Sequence, residues 1–134
     1  RPRKAPKVLF AAPVFCSGFP AQIKSLLDRM FCLMDTAGEQ PAAPWRPGKP
    51  IGLLLTGAGD EADNADLVIR GLEQLTQWVQ GRMMGHWFVG GCTEPEALGG
   101  DVESRATQFA AALAPEVARL EACGQYEPGR YPPV

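Results

Sequence analysis

Residues 10–29 read FAAPVFCSGFPAQIKSLLDR, and this stretch decides the fold. A short apolar run ends in a loop that holds Pro13 and Gly18, and the loop opens directly into an amphipathic helix. That is the strand–loop–helix corner at which open α/β sheets take ligands, outside the carboxyl ends of their strands. The corner falls only about ten residues into the chain. A complete domain of this type would there still be on its first strand.

Working outward, residues 7–12 read as a strand that is apolar on both faces, as buried parallel strands are. From Ala21 the positions Ile23, Leu26, Leu27, Met30, Phe31 and Met34 keep helical spacing to about Asp35. Residues 36–50 are rich in Pro, Ala and Gly and read as a long loop, a lid or interface segment, with Trp45 as a plug on the core. Residues 50–56, PIGLLLT, give a second buried strand, and the turn Gly57-Ala58-Gly59-Asp60 follows. Asp63 or Asn64 is expected to cap a helix with the stripe Leu67, Val68, Leu72, Leu75, Trp78 and Val79, ending near Gly81. Residues 86–90 read as a third strand and 90–95 as the loop beyond it. Asp101 is expected to cap a last helix, which Pro115 interrupts and Gly124 stops.

The order β-α-β-α-β-α implies a parallel three-stranded sheet with flanking helices, an α/β fold. Residues 1–123 form this domain part and residues 124–134 an extended Pro-rich tail. The first strand has an exposed edge unless something pairs with it.

With 134 residues, 46% of them hydrophobic, the chain is long enough to bury a core. A net charge of −2 gives no basic surface for nucleic acid, and Arg1, Arg3, Lys4, Lys7 and Lys24 read as a solvated cluster. No apolar run approaches a membrane span. Cys16, Cys32, Cys92 and Cys123 are widely separated, without a C-x-x-C pair, and read as reduced thiols of a cytoplasmic protein.

The residues 13–24, PVFCSGFPAQIK, followed by Leu27, Asp28 and Arg29, resemble a family signature, P-V-Y-x-x-x-x-x-A-x-L-K…D-R. It marks the NAD(P)H-dependent FMN reductase and iron–sulfur flavoprotein branch of the flavodoxin-like superfamily. Residues 48–57, GKPIGLLLTG, are similar to the strand that comes next in that family. The resemblance covers residues 5–122 and is most specific between Pro13 and Gly57. It implies a flavodoxin-like parallel sheet lacking its first two strands, FMN as cofactor and NAD(P)H as electron donor. By position, the flavin ring then meets Pro13, Val14, Phe15, Cys16, Ser17 and Gly18, and also Thr56, Gly57, Ala58, Gly59 and Asp60. An isoalloxazine ring needs flat apolar walls and backbone N–H groups at its polar edge. Pro13, Val14 and Phe15 supply shape, Ser17 and Gly18 accessible donors, and the helix at Ala21 a positive dipole end.

The chain also departs from the family. Ala12 stands where relatives often have Ser or Thr, and Phe15 where they have Tyr. The Ser/Thr/Gly-rich loop that holds the FMN phosphate has no counterpart before Lys7, nor has the cysteine cluster of iron–sulfur flavoproteins. The turn at 57–61 cannot replace the phosphate loop, because Asp60 and Glu61 repel a phosphate. The missing strands are expected from an N-terminal segment or a second chain, and the family's habit implies a homo-oligomer.

Other residues read as structural. Cys16 and Cys92 lie on one rim; two inert, buried cysteines are expected there, with a redox thiol beside the flavin as the alternative. His86 starts a strand away from the rim, and Asp28 and Arg29 make helix-surface or subunit contacts. Asp60, Glu61 and Asp63 are solvated turn acids rather than a calcium loop, and Met83, Met84 and Trp87 are core or interface. The expected function is electron transfer from NAD(P)H through FMN to a quinone, flavin or protein acceptor, with no side chain acting as acid or base. The alternatives are a flavodoxin-fold module without flavin that serves protein association, and an electron-carrier flavodoxin, which lacks support at this net charge.

Overall fold

The first apolar run forms strand β1 (Val8–Pro13), and helix α1 (Ala21–Phe31) follows its loop in the computed structural model, which describes residues 7–32 and 47–114. Strand β2 (Lys49–Thr56), the short helix α2 (Glu61–Asn64), helix α3 (Asp66–Trp78), strand β3 (Gly81–Val89) and helix α4 (Val102–Leu113) complete the order. The strands form one parallel sheet in the order β1-β2-β3, with Phe10 beside Leu53 and Leu55 beside Phe88. This is the flavodoxin-like α/β arrangement expected from the alternation of apolar runs and helical stripes.

Side-chain alternation divides the sheet into two unequal faces. On one, Phe10, Ala12, Ile51, Leu53 and Leu55 meet Leu27 and Met30 of α1 and Val68, Ile69 and Leu72 of α3. Burying each large aliphatic side chain here contributes about 1.5–3 kcal/mol relative to leaving it in water. On the other face, α4 brings Leu113 over Gly52, where an added Cβ would stand 3.4 Å from its methyls. Trp87 meets Phe109 at 5.9 Å between ring centroids, and the Arg105 guanidinium lies 5.6 Å over the Trp87 ring.

The structure corrects several expectations. β1 is not buried on both faces: Leu9 is 48% exposed and Ala11 and Pro13 are exposed, because α4 covers β2 and β3 and β1 is an edge strand among the described residues. The third strand begins at Gly81, not His86. Its first half pairs with Lys49, Pro50 and Ile51, and a bulge between Ile51 and Gly52 is absorbed at Gly85, whose φ of 139° suits glycine. α3 therefore ends at Trp78. Asp60, rather than Asp63 or Asn64, supplies the cap: its carboxylate accepts from the Asp63 N–H at 2.9 Å and opens α2, while α3 has Ala65 at its N-cap. Asp101 stands at the N-cap of α4 but makes no side-chain cap bond; it lies 3.9 Å from Arg105 instead. Trp45, most of the loop 36–50, Cys123, Pro115, Gly124 and the tail 124–134 lie outside the described residues.

Candidate functional site

β1 and β2 are parallel and in register to their carboxyl ends, so Pro13 lies beside Thr56 and their following loops share one rim. The Val14 N–H donates to the Thr56 carbonyl at 2.8 Å and ties the two exits together. Val14 itself is buried beneath the rim.

Beyond it, residues 15–18 form a two-residue hairpin. The Phe15 N–H donates to the Gly18 carbonyl at 3.0 Å, and the Gly18 N–H returns to the Phe15 carbonyl at 2.9 Å. Cys16 and Ser17 sit at its tip with φ of 48° and 56°, the left-handed pair that a type I′ turn demands. Neither is glycine, and each left-handed L-residue costs about 1–2 kcal/mol. Such cost concentrates where a loop must hold a particular presentation. The turn directs Phe15 outward, 61% exposed, and leaves the Cys16 and Ser17 N–H groups without a backbone acceptor among the described residues. The expectation for Gly18 is corrected, since the hairpin consumes its N–H. The expectation of a buried Cys16 is corrected as well, because the turn lifts it into solvent.

The loop after β2 is held differently. The Gly57 N–H donates to the Val89 carbonyl at 3.0 Å, and the Gly57 carbonyl accepts from the Cys92 N–H at 3.0 Å. A Cβ on Gly57 would run into the Asn64 amide and stand 3.1 Å from the Phe88 ring, so a side chain there would have to displace both neighbours. Ala58, Gly59 and Asp60 are exposed, and the N–H groups of Ala58 and Gly59 have no backbone acceptor among the described residues. Asp60 is occupied as the cap of α2. Thr56 is half-buried and contributes its carbonyl to Val14.

Sequence reasoning missed the supports of this second loop. Gly90 is one: a Cβ on it would come within 2.7 Å of the Gly59 carbonyl. Asn64 is another: the sequence offers it as a helix cap, and the structure places it against Gly57 and Gly59 instead. Cys92 is half-buried, and its thiol donates to the Val89 carbonyl at 3.1 Å. His86 does not begin a strand; it lies within β3 beside Leu53, and its Nε2 is 3.2 Å from Glu61 Oε1, next to the Asp60 cap. Asp28 pairs with Lys24 along the surface of α1. Among the described residues no three His, Cys, Asp or Glu side chains are placed to hold a metal ion.

The rim thus fits one part of FMN and not another. Two pairs of open N–H groups, at 16–17 and 58–59, stand on adjoining loops with an exposed aromatic and no bulky side chain at 58 or 59. Those are the requirements of a flavin ring edge. A phosphate finds no matching cradle at the turn 57–60, which leads into Asp60 and Glu61.

A family model described as NADPH-dependent FMN reductase matches residues 3–92. No curated protein matches the chain. Among solved structures, an azoreductase from Bacillus anthracis str. Sterne is similar at 16% identity with a TM-score of 0.50, over 87% of this chain and 56% of its own. Azoreductase AzrA is similar at 17% identity with a TM-score of 0.51, over 87% and 56%. These two likenesses concern the fold, and the chain spans 56% of the length of each structure.

Proposed function

The chain belongs to the NADPH-dependent FMN reductase family, and from that premise we propose that its rim is the ring-side half of an FMN site in an NAD(P)H-dependent oxidoreductase. The family implies FMN as cofactor and NAD(P)H as electron donor. The observation that carries the reading is the register of Pro13 with Thr56, which sets the loops 13–18 and 56–60 side by side. Pro13 and Phe15 form an apolar wall, and the N–H groups of Cys16, Ser17, Ala58 and Gly59 face the polar edge of the ring. Bound FMN supplies hydride acceptance and onward electron transfer; the chain supplies position and hydrogen-bond donors. No side chain is required as acid or base. Quinones, free flavin, a protein acceptor and azo compounds are the acceptors to assay, the last because both similar structures are named azoreductases.

The phosphate side of the site comes, in this reading, from residues that pair with the open edge of β1, either an N-terminal segment or a second chain. The separated, unpaired cysteines among the described residues support a cytoplasmic location. Among those residues no helix is long and apolar enough to cross a membrane.

The test is the visible spectrum of the purified full-length protein. The reading expects a yellow protein that releases FMN on denaturation and bleaches with NADPH under anaerobic conditions. A colourless protein that also fails to take up added FMN would sink it. That outcome belongs to the second reading, a flavodoxin-fold association module without flavin. The internal use of the Gly18 and Gly57 N–H groups favours that alternative.

A further inference from the structure

The loop at 57–60 runs straight into α2, and α2 lacks apolar anchorage of its own. No residue of α2 is buried, so packing of its side chains does not fix this single turn. Its far end joins α3 at Ala65, which is fully buried. Its near end carries Glu61, directly after the loop, and Glu61 Oε1 lies 3.2 Å from His86 Nε2 on β3. Asn64, on the same turn, stands against Gly57 and Gly59. A displacement of α2 is therefore a displacement of the loop whose Ala58 and Gly59 N–H groups are open among the described residues. His86 follows the bulge at Gly85 on an edge strand among those residues, and its neighbour on β2, Leu53, brings no charge.

We propose that His86 is a positioning residue for the candidate flavin site and makes that site pH-sensitive. As an imidazolium it holds Glu61, and through α2 it keeps the 57–60 loop in the form that presents its N–H groups. The inference rests on the reading of that loop as the ring side of an FMN site. Histidine changes charge between about pH 5 and 8. With the proton on, the contact to Glu61 joins unlike charges; with the proton off, it falls to an ordinary hydrogen bond of about half the strength. The other charged groups nearby are placed differently. Asp66, Arg70 and Glu73 of α3 line the same hollow as His86, and Arg70 Nε is paired with Asp66 Oδ1 at 2.9 Å. Asp60 and Asp63 flank Glu61, and the Asp60 carboxylate is occupied by the Asp63 N–H. Arg82 lies four residues back on β3. Arg105 of α4 lies over Trp87, whose side chain alternates to the opposite face of the sheet from His86. The grip on Glu61 is therefore strongest with His86 charged, and FMN binding weakens as pH rises through the titration of the imidazole.

The experiment is FMN titration of the full-length protein, by quenching of flavin fluorescence, at about pH 5.5 and about pH 8.5. The wild type is compared with His86→Gln and Glu61→Gln, and circular dichroism checks folding. Glutamine at 86 keeps a hydrogen-bond donor but cannot take the charge. Comparison at equal pH cancels the titration of the FMN phosphate. At the lower pH the wild type should bind FMN about threefold more tightly than either variant, the scale of a partly exposed ion pair. At the higher pH the three proteins should agree. A gap of equal size at both pH values means that His86 is structural only and overturns the proposal, as does the lack of a gap at either. Should His86→Gln misfold, Glu61→Gln on the exposed turn carries the same comparison. A wild type that takes up no FMN at either pH sinks the cofactor reading and this inference together, whereas FMN binding with a pH-independent gap sinks the inference alone.

Discussion

The two loops at the rim face the same space and are held by opposite means. Residues 15–18 close on themselves through two reciprocal hydrogen bonds, carry two left-handed non-glycine residues, and expose their aromatic side chain. Residues 57–60 are tied at Gly57 to Val89 and Cys92 and sit with no spare room against Asn64 and Phe88. One loop keeps its shape by local bonding and accepts conformational cost to do so. The other keeps its position by packing against its neighbours. A substitution at one should therefore relieve or add local strain, whereas a substitution at the other should disturb the sheet end beneath it.

The largest expected effect tests the anchored loop. Gly57→Val forces a branched side chain into the Asn64 and Phe88 contacts, and overpacking of this kind costs about 1–3 kcal/mol. Denaturant unfolding of the variant should show a lowered midpoint with an unchanged slope; an unshifted midpoint means that the loop is not anchored as described. The strained loop responds in the opposite direction. Ser17→Gly removes one left-handed L-residue and should stabilise the protein by about 1 kcal/mol, read in the same unfolding experiment. A loss of stability there would show that the hairpin is not strained. The smallest effect concerns the exit of the anchored loop. Asp60→Ala removes the cap of α2 and should cost about 0.5–1 kcal/mol, visible as a modest fall in melting temperature.

Much of the fold was legible because burial imposes patterns. The runs at 7–12 and 50–56 and the stripes on both sides of the second strand led directly to β1, β2, α1 and α3. The first half of β3 was hidden because Gly81, Arg82, Met83 and Met84 show no alternation; Gly81, Arg82 and Met83 are strand by virtue of pairing with Lys49, Pro50 and Ile51, and Met84 is passed over at the register shift that follows. The exposure of Leu9 could not be read either, since it depends on which strands α4 reaches.

At the site, the position of the rim follows from the strand–loop–helix pattern, but its donors do not. Residues 15–18 lack the Asn-Gly or Asp-Gly pair that announces a type I′ hairpin. The loss of the Gly18 donor and the opening of Cys16 and Ser17 therefore became visible only with the backbone bonds. The support at Gly90 is a remote pairing with no local mark in the sequence, whereas Asn64, close behind Gly57 in the chain, reads from the sequence as a helix cap and not as a contact of the turn.

The central claim is that a flavin ring lies against the backbone of both loops. FMN affinity, titrated by quenching of flavin fluorescence in the full-length protein, tests it with Gly18→Leu and Gly59→Leu. At Gly18 and Gly59 an added Cβ meets its nearest atoms at 3.4 and 3.6 Å, ordinary contacts, so both variants should fold. The account predicts that each binds FMN about tenfold or more weakly than the wild type, with melting temperatures in its range. Wild-type affinity in both variants would contradict it.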